Sequence, residues 1–482
     1  MLYKKGEPIN QVYDVVIIGS GLGGLTAANM LGRAGRRVLL LESHNKLGGL
    51  ATWFRRKDRH GGEHIFDISL HGFPYGMVKT CKKYWGQAIA SKIERIDKVR
   101  FLNPQFDVET DFTREDYIRI LVEHFKVPID VALGFFNDLE NMNFYDAPNI
   151  CNGDLFKKYF SDRNDIVRFL LEPITYANGS TLEDPAITYG IVFSNFMQKG
   201  VYIFKGGTDL MISLMKEELL RNNVDIRLHS KVDKIEVENA GQTPPQVKSV
   251  LCGNEKIKCH AVISNSNLLS TIFNLVGEQN FDKQFVQEAR KVRINTSSCQ
   301  VYMGIKAGES IPPMGDLIFY SEAEEFSTEM LLSPKVLGQT FSLYYPDSRP
   351  QRGKRYAVVS SSNARYQDWQ NLSSNEYQQK KAYLIEKALS ALEKIIPGVR
   401  EKIDYTEAAT PLTIEKYTHH RMGSSFGTKF EGLEISKRLP AEVKGLYHAG
   451  SVGIIMSGWL GAANYGVIQS HAVNTYLDTV SH

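Results

Sequence analysis

Cysteine is sparse in this chain. Cys81, Cys151, Cys252, Cys259 and Cys299 are scattered, odd in number and without a C-x-x-C pair, which suggests neither a disulfide framework nor a thiolate zinc site and fits a reducing compartment. An excess of either charge is also missing. Lys and Arg number 57 against 54 Asp and Glu, a formal net charge of +3, too balanced for a nucleic-acid partner. Met1 to Asn10 has no apolar core, so no secretory leader is expected, and the sequons at Asn178, Asn295 and Asn371 carry little weight. No long uninterrupted apolar run is present. Gly445 to Leu477 lacks Asp, Glu, Lys and Arg, yet six glycines, Asn464, His448 and His471 break it, whereas a lipid-facing helix of about 20 residues is predominantly apolar. The expectation is a buried segment touching a cofactor, no transmembrane helix and a cytoplasmic location, with peripheral membrane contact left open. Internal repeats and low-complexity linkers are absent as well.

What the chain does have is glycine in two clusters: ten lie between Gly19 and Gly62 and six between Gly445 and Gly466. Ahead of the first, Tyr13-Asp14-Val15-Val16-Ile17-Ile18 reads as a strand buried on both faces of a parallel sheet. It runs into Gly19-Ser20-Gly21-Leu22-Gly23-Gly24, with G-x-G-x-x-G spacing, and then a helix with Leu25, Ala28 and Leu31 on one face. Gly19 serves the tight turn, Gly21 the approach of a pyrophosphate, and Gly24 the packing of helix on strand; the helix start offers N–H groups to phosphate. Arg37 to Leu41 reads as the next strand, with Glu42 at its carboxyl end, 18 residues after Gly24. A carboxylate there accepts hydrogen bonds from a ribose and repels a 2′-phosphate, favouring FAD or NAD over NADP. No second G-x-G-x-x-G follows a strand, so a dedicated nicotinamide domain is not expected, and the electron partner (oxygen, a quinone or a reductase) stays open.

Further along, Thr113 caps an expected amphipathic helix that Pro128 stops, and Thr208 caps another ending at Asn222-Asn223. Val224 to Leu228, Val232 to Val237 and Val247 to Leu251 read as a small antiparallel sheet, with Gly241 to Pro245 as the last loop, and His260 to Asn265 as a buried parallel strand. Ser298 to Ile305, Thr340 to Tyr345 and Tyr356 to Ser360 alternate at period 2 as strands of a second sheet. Tyr377 to Ile396 is a long helix stopped by Pro397-Gly398. The chain therefore reads as a nucleotide-binding domain in three pieces, 1–64, 200–270 and 440–482, interleaved with a substrate domain, 65–199 and 271–439.

The run from Glu42 to Gly48-Gly49 resembles the extended FAD fingerprint of glutathione-reductase-like flavoproteins, which points to FAD. Four motifs together resemble the phytoene desaturase, carotenoid isomerase and retinol saturase family. They are this fingerprint, Phe66-Asp67-Ile68-Ser69-Leu70-His71, Ala409-Thr410-Pro411-Leu412-Thr413, and Gly445-Leu446-Tyr447 to Gly450 with Ser457-Gly458-Trp459-Leu460-Gly461-Ala462. Gly200, Gly206 and Gly207 fall where the family's chain returns to the FAD domain. The resemblance implies an α/β fold: a Rossmann-like FAD-binding domain in several sequence pieces, interleaved with an α+β substrate domain. It also implies that Gly19, Gly21, Gly24, Glu42, Gly48 and Gly49 hold FAD, that Val232 presents its backbone to the adenine, and that Gly450 and Ser451 lie along the cofactor. The helix from Gly458, with Trp459 and Leu460, would then aim its start at the flavin edge that becomes negative on reduction. Ser69 and Ser451 depart from the family, standing where a glycine and an acidic residue are usual.

The implied activity is an FAD-dependent oxidoreductase that desaturates, saturates or isomerises carbon–carbon bonds of a hydrophobic isoprenoid or polyene by hydride exchange with flavin N5. His71 is the candidate proton donor or acceptor, since imidazole exchanges protons near neutral pH; its bland alternative is a buried structural histidine. Trp459 and Tyr417 line the flavin face or belong to the core. The apolar faces of 117 to 139, Phe135-Phe136 included, read as core packing. His60-x-x-x-His64 has helical ligand spacing, but Gly61-Gly62 argue against a helix and no third ligand is evident, so no metal is expected. Rival readings are an amine oxidase or protoporphyrinogen-oxidase-like flavoenzyme, and a non-catalytic lipid-binding protein on the same fold.

Overall fold

The computed structural model describes residues 1–3, 7, 9, 12–58, 61–68, 72–143, 149–197, 199–239, 244–348 and 355–480. The β-branched strand Tyr13–Ile18 sits at the centre of a parallel sheet, with Val15, Val16 and Ile17 fully buried. On one side it pairs with Val38–Leu41, then Asp225–Arg227, then Leu2–Tyr3 at the edge. On the other it pairs with Glu255–Ser264, which in turn pairs with Leu446–His448. Three separated stretches of chain thus build one sheet. The expectation for residues 224–228 is corrected: Ile226 pairs in parallel with Leu40, because alternation over so few residues carries no information on strand direction. Lys234–Glu238 and Gln246–Cys252 do form the antiparallel ladder, whose third member is the first half of Glu255–Ser264.

Helices cover the sheet. Leu22–Arg33 follows the glycine turn, and Gly458–Val480 lies against it. Their contact needs glycine on both sides: a Cβ on Gly466 would stand 2.3 Å from the Gly23 carbonyl oxygen, and a Cβ on Gly23 would stand 3.2 Å from that of Ala462. Among the described residues no helix is long and apolar enough to cross a membrane. Helix Gly207–Arg221 is capped by Gly206 (φ 101°), not by Thr208. Thr208 lies one residue into that helix, its hydroxyl held 2.5 Å from the Asp67 carboxylate. Phe73, Met77, Cys81 and Trp85 pack into the same apolar core as Leu25, Ala28 and Met215, so this core extends past residue 64.

The second sheet runs in the order Ile403–Ala409, Ser297–Ile305, Ala357–Ala364, Gly338–Tyr344, Leu317–Ser321, Val99–Leu102, Asp107–Thr110. Its one parallel pairing, Leu317–Ser321 with Val99–Leu102, joins chain segments far apart in sequence. Met303, Leu343 and Val358 pack under Leu384 and Leu392 of helix Ser374–Ile395. Phe101 and Phe319 instead join a core with helices Arg114–Glu123, Ile129–Asn141, Asn164–Asn178 and Ala186–Met197. Thr113 caps the first of these through its hydroxyl and the Asp116 N–H at 3.3 Å. That helix ends at Glu123, before Pro128, which instead caps the next. Phe135 and Phe136 are core residues.

Candidate functional site

A cavity of about 2190 Å³ runs from the glycine turn to one face of the second sheet. Its nucleotide end is shaped by close approaches that only glycine permits. Gly19 adopts φ 90°, Gly48 φ 113° and Gly49 φ 58°, all strained for residues with a Cβ. A Cβ on Gly24 would lie 2.1 Å from the Gly19 carbonyl oxygen, and one on Gly49 would lie 3.0 Å from Gly21 Cα. Helix Leu22–Arg33 begins here with its first N–H groups toward the cavity wall, where Gly19 to Gly23 line it. A helix start of this kind holds an anion.

Glu42 is buried at the end of Val38–Leu41 and binds the loop first. Its carboxylate accepts from the Ser20 N–H at 2.9 Å, from the Ser20 hydroxyl, and from the His44 N–H at 2.8 Å. The Gly48 N–H reaches the Ser20 carbonyl at 3.0 Å, so the acid, the turn and the paired glycines form one hydrogen-bonded unit. Val232 lines the cavity, and among the described residues its backbone N–H and C=O have no hydrogen-bond partner. Ser451, Gly458, Trp459 and Leu460 line it farther along. Gly450 stands beside them without lining it; a Cβ there would press within 2.3 Å of the Ser266 carbonyl oxygen.

Several expectations change. His71 and Ser69 lie outside the described residues, although Ile68 and Gly72 on either side of them line the cavity. Trp459 stacks on Phe73 with ring centroids 5.3 Å apart. Tyr417 is neither core nor stacked: it is 53 % exposed and meets His44 edge-on at the cavity rim. His60 is likewise outside the described residues. His64 is buried with its Nε2 2.6 Å from Asp404 Oδ1, and Arg355 bonds Asp58 at 2.6 Å and His64 at 3.0 Å. Asp58, His64 and Asp404 bring their ligand-type atoms within 4.8 Å of one another, and the Arg355 guanidinium supplies the positive charge that this group needs. Burial holds the His64 imidazole below its usual range against the pull of Asp404.

Two residues escaped the sequence reading. Asn265 follows strand Glu255–Ser264 and lays its side chain over the glycine turn, where a Cβ on Gly21 would meet its amide nitrogen at 2.7 Å. His448 ends strand Leu446–His448, fully buried. Its Nε2–H donates to the Ser266 carbonyl at 2.9 Å, and its Nδ1 accepts from the Ser436 hydroxyl at 2.9 Å, which accepts in turn from Tyr465 at 2.6 Å. The histidine thereby ties together the turns at the carboxyl ends of two adjacent parallel strands, where nucleotides bind in such sheets. The signal for both was present as a polar residue at the end of an apolar strand.

The model of the NAD(P)-binding Rossmann-like domain matches residues 17–82. Chloroplastic prolycopene isomerase of Arabidopsis thaliana is 24% identical, covering 96% of this chain and 82% of its own length. All-trans-retinol 13,14-reductase of Macaca fascicularis is also 24% identical, over 96% and 86%. An oxidoreductase of Methanosarcina mazei has the same fold, with a TM-score of 0.66 at 16% identity over 95% and 99%. The resemblance to the phytoene desaturase, carotenoid isomerase and retinol saturase family therefore holds along nearly the whole chain. The cradle and the Rossmann-like domain support a flavin or nucleotide cofactor.

Proposed function

We propose, from this likeness and from the cavity, that the chain is an FAD-dependent oxidoreductase acting on carbon–carbon bonds of a hydrophobic isoprenoid or polyene. The observation that carries the reading is continuity. One cavity joins the glycine cradle to a lobe walled by Phe112, Ile174, Ile191, Phe196, Leu317 and Phe319, and the start of helix Gly458–Val480 lies on it. An apolar substrate and a dinucleotide would share one cavity.

The glycines from Gly19 to Gly24 take the pyrophosphate, the Glu42 unit the ribose, and the unpaired Val232 backbone the adenine. Ser451 follows along the cofactor. Gly458, Trp459 and Leu460 offer first-turn N–H groups, a partial positive charge that favours an edge becoming negative. FAD held there supplies a hydride acceptor or donor for a C–C bond. The chain's own work is then to orient the substrate, exclude water, and, at His71, exchange a proton with it. The motifs at 66–71 and 457–462 lean toward the saturase and isomerase branches.

Purified protein should be yellow, or become so with FAD, and anaerobic mixing with carotenoids or retinoids should bleach or reoxidise the flavin. Protein that stays colourless after incubation with FAD would overturn the reading. His71→Ala should lower turnover at saturating substrate by about 10²-fold or more, the usual scale of a lost general acid or base; unchanged turnover removes His71 from the chemistry.

A further inference from the structure

In the second sheet Gln300 pairs with Ser361, and Ser361 with Thr340, so the three side chains stand in one row across three strands. All are buried, and all line the cavity. Ala409 and Phe319 continue the same register at the two ends, so a short polar band crosses the sheet beside a second polar pair, Ser298 and Asn363, whose side chains are already bonded to the Ser425 hydroxyl and the Thr175 carbonyl. Among the described residues the Thr340 hydroxyl has no hydrogen-bond partner. Among the described residues neither the Ser361 hydroxyl nor the Gln300 amide nitrogen has one, while the Gln300 oxygen accepts from the Tyr302 hydroxyl at 2.5 Å. Helix Asn164–Asn178 adds a further buried hydroxyl, that of Tyr176, without a partner among the described residues. It stands 2.9 Å from where a Cβ would sit on Gly338, two residues before Thr340 on the same face of the strand.

Buried donors without acceptors, here the Thr340 and Tyr176 hydroxyls, are costly in a free protein and become useful when a ligand satisfies them. The row carries no charge. The nearest acid in the neighbouring row, Glu407, is held by Arg56 at 2.7 and 3.0 Å. Hydroxyls donate and accept, and the amide nitrogen donates, so the set matches a neutral hydroxyl or carbonyl and lacks the cation that a carboxylate would need.

We propose that the Gln300–Ser361–Thr340 row, with Tyr176, seats one neutral oxygen function on an otherwise apolar substrate, and so selects oxygenated polyenes over hydrocarbons. This rests on the polyene reading for the rest of the ligand. The test titrates FAD-loaded protein, by quenching of protein fluorescence, with two matched series: β-carotene, β-cryptoxanthin and echinenone, and axerophthene, retinol and retinal. In at least one series the oxygenated members should bind about tenfold or more tightly than the hydrocarbon. Thr340→Val and Ser361→Ala should each cut that ratio about five- to tenfold, the scale of one hydrogen bond. Because Thr340→Val replaces an unpaired hydroxyl by a methyl of the same shape, its melting temperature should hold or rise, and the flavin spectrum reports that the site is intact. Equal binding of hydrocarbon and oxygenated members, as a water-filled row would give, or a ratio that survives both substitutions, overturns the row and leaves the polyene reading standing. If yellow protein binds no member of either series, the polyene reading fails and the row with it.

Discussion

Gly62 has no assignable purpose in the linear sequence. In three dimensions a Cβ there would lie 2.4 Å from Asp58 Oδ2 and 2.5 Å from Arg355 Nη2, so its absence lets a buried acid and a distant arginine meet. Gly304 does the same for His64, whose ring would stand 2.5 Å from an added Cβ. Such roles depend on residues hundreds of positions away and leave no local pattern. His448 is the residue whose environment makes the clearest solution prediction. Burial pushes its imidazole down to about 4 from the usual 6.5, so the unfolded chain takes up that proton first. The contribution is complete above about pH 6.5 and is lost as pH falls toward 4, by up to about 3 kcal/mol. His64 and His420 are shifted the same way by burial and stay in both proteins of the comparison. In His448→Gln, which keeps an N–H for the Ser266 carbonyl, the melting temperature should fall less steeply over this pH window than in the wild type. Parallel melting curves would mean that His448 is not the group titrating.

At the level of elements, the strands and helices with strong periodicity are where the sequence places them. Strand Tyr13–Ile18 is as expected, helix Leu22–Arg33 begins inside the glycine motif, two residues before Gly24, and the long helix expected over 377–396 begins earlier, at Ser374, because Ser373 caps it. The misplacements have separate causes. Asp225–Arg227 is too short to show its direction, Thr208 yields the cap to Gly206, which adopts φ 101°, and Pro128, read as a stop, caps the next helix after the first has ended at Glu123. The C-terminal glycines also gain a second task. They lead the chain back to the cofactor end of the cavity, and Gly466 additionally lets helix Gly458–Val480 rest on the Gly23 backbone. Gly466→Val should force these helices apart at a cost of about 1–3 kcal/mol, visible as a lower melting temperature together with weaker FAD retention. A loss of stability with full FAD retention would show that this contact does not position the helix start at the cofactor.

On the scale of the whole molecule, the two large sheets and the helices between them frame a cavity of about 2190 Å³, whose glycine-lined end is the FAD site of the proposed function. Binding of FAD should therefore raise the melting temperature. At a free concentration of 100 times Kd the gain is about 2.7 kcal/mol. Gly24→Ala, whose Cβ would stand 2.1 Å from the Gly19 carbonyl oxygen, should lose most of that gain. If FAD stabilises this variant as much as the wild type, the cofactor is bound elsewhere.

The glycine turn and its surroundings were readable from residue order because their signal is local: a strand, a turn that needs glycine, a helix start and a buried acid come within one short stretch of chain. The resemblance carried by motifs at both ends likewise needed no coordinates. The substrate end could not be read that way. The polar row of Gln300, Ser361 and Thr340, the His448 tie and the Asp58–Arg355 pair join segments that meet only through strand register and packing. In each strand taken singly these residues look like ordinary polar positions of an alternating pattern. For the polar row, packing of the second sheet beside helices Asn164–Asn178 and Ala186–Met197 buries the side chains along the cavity wall, and that burial makes an unpaired hydroxyl a statement about a ligand.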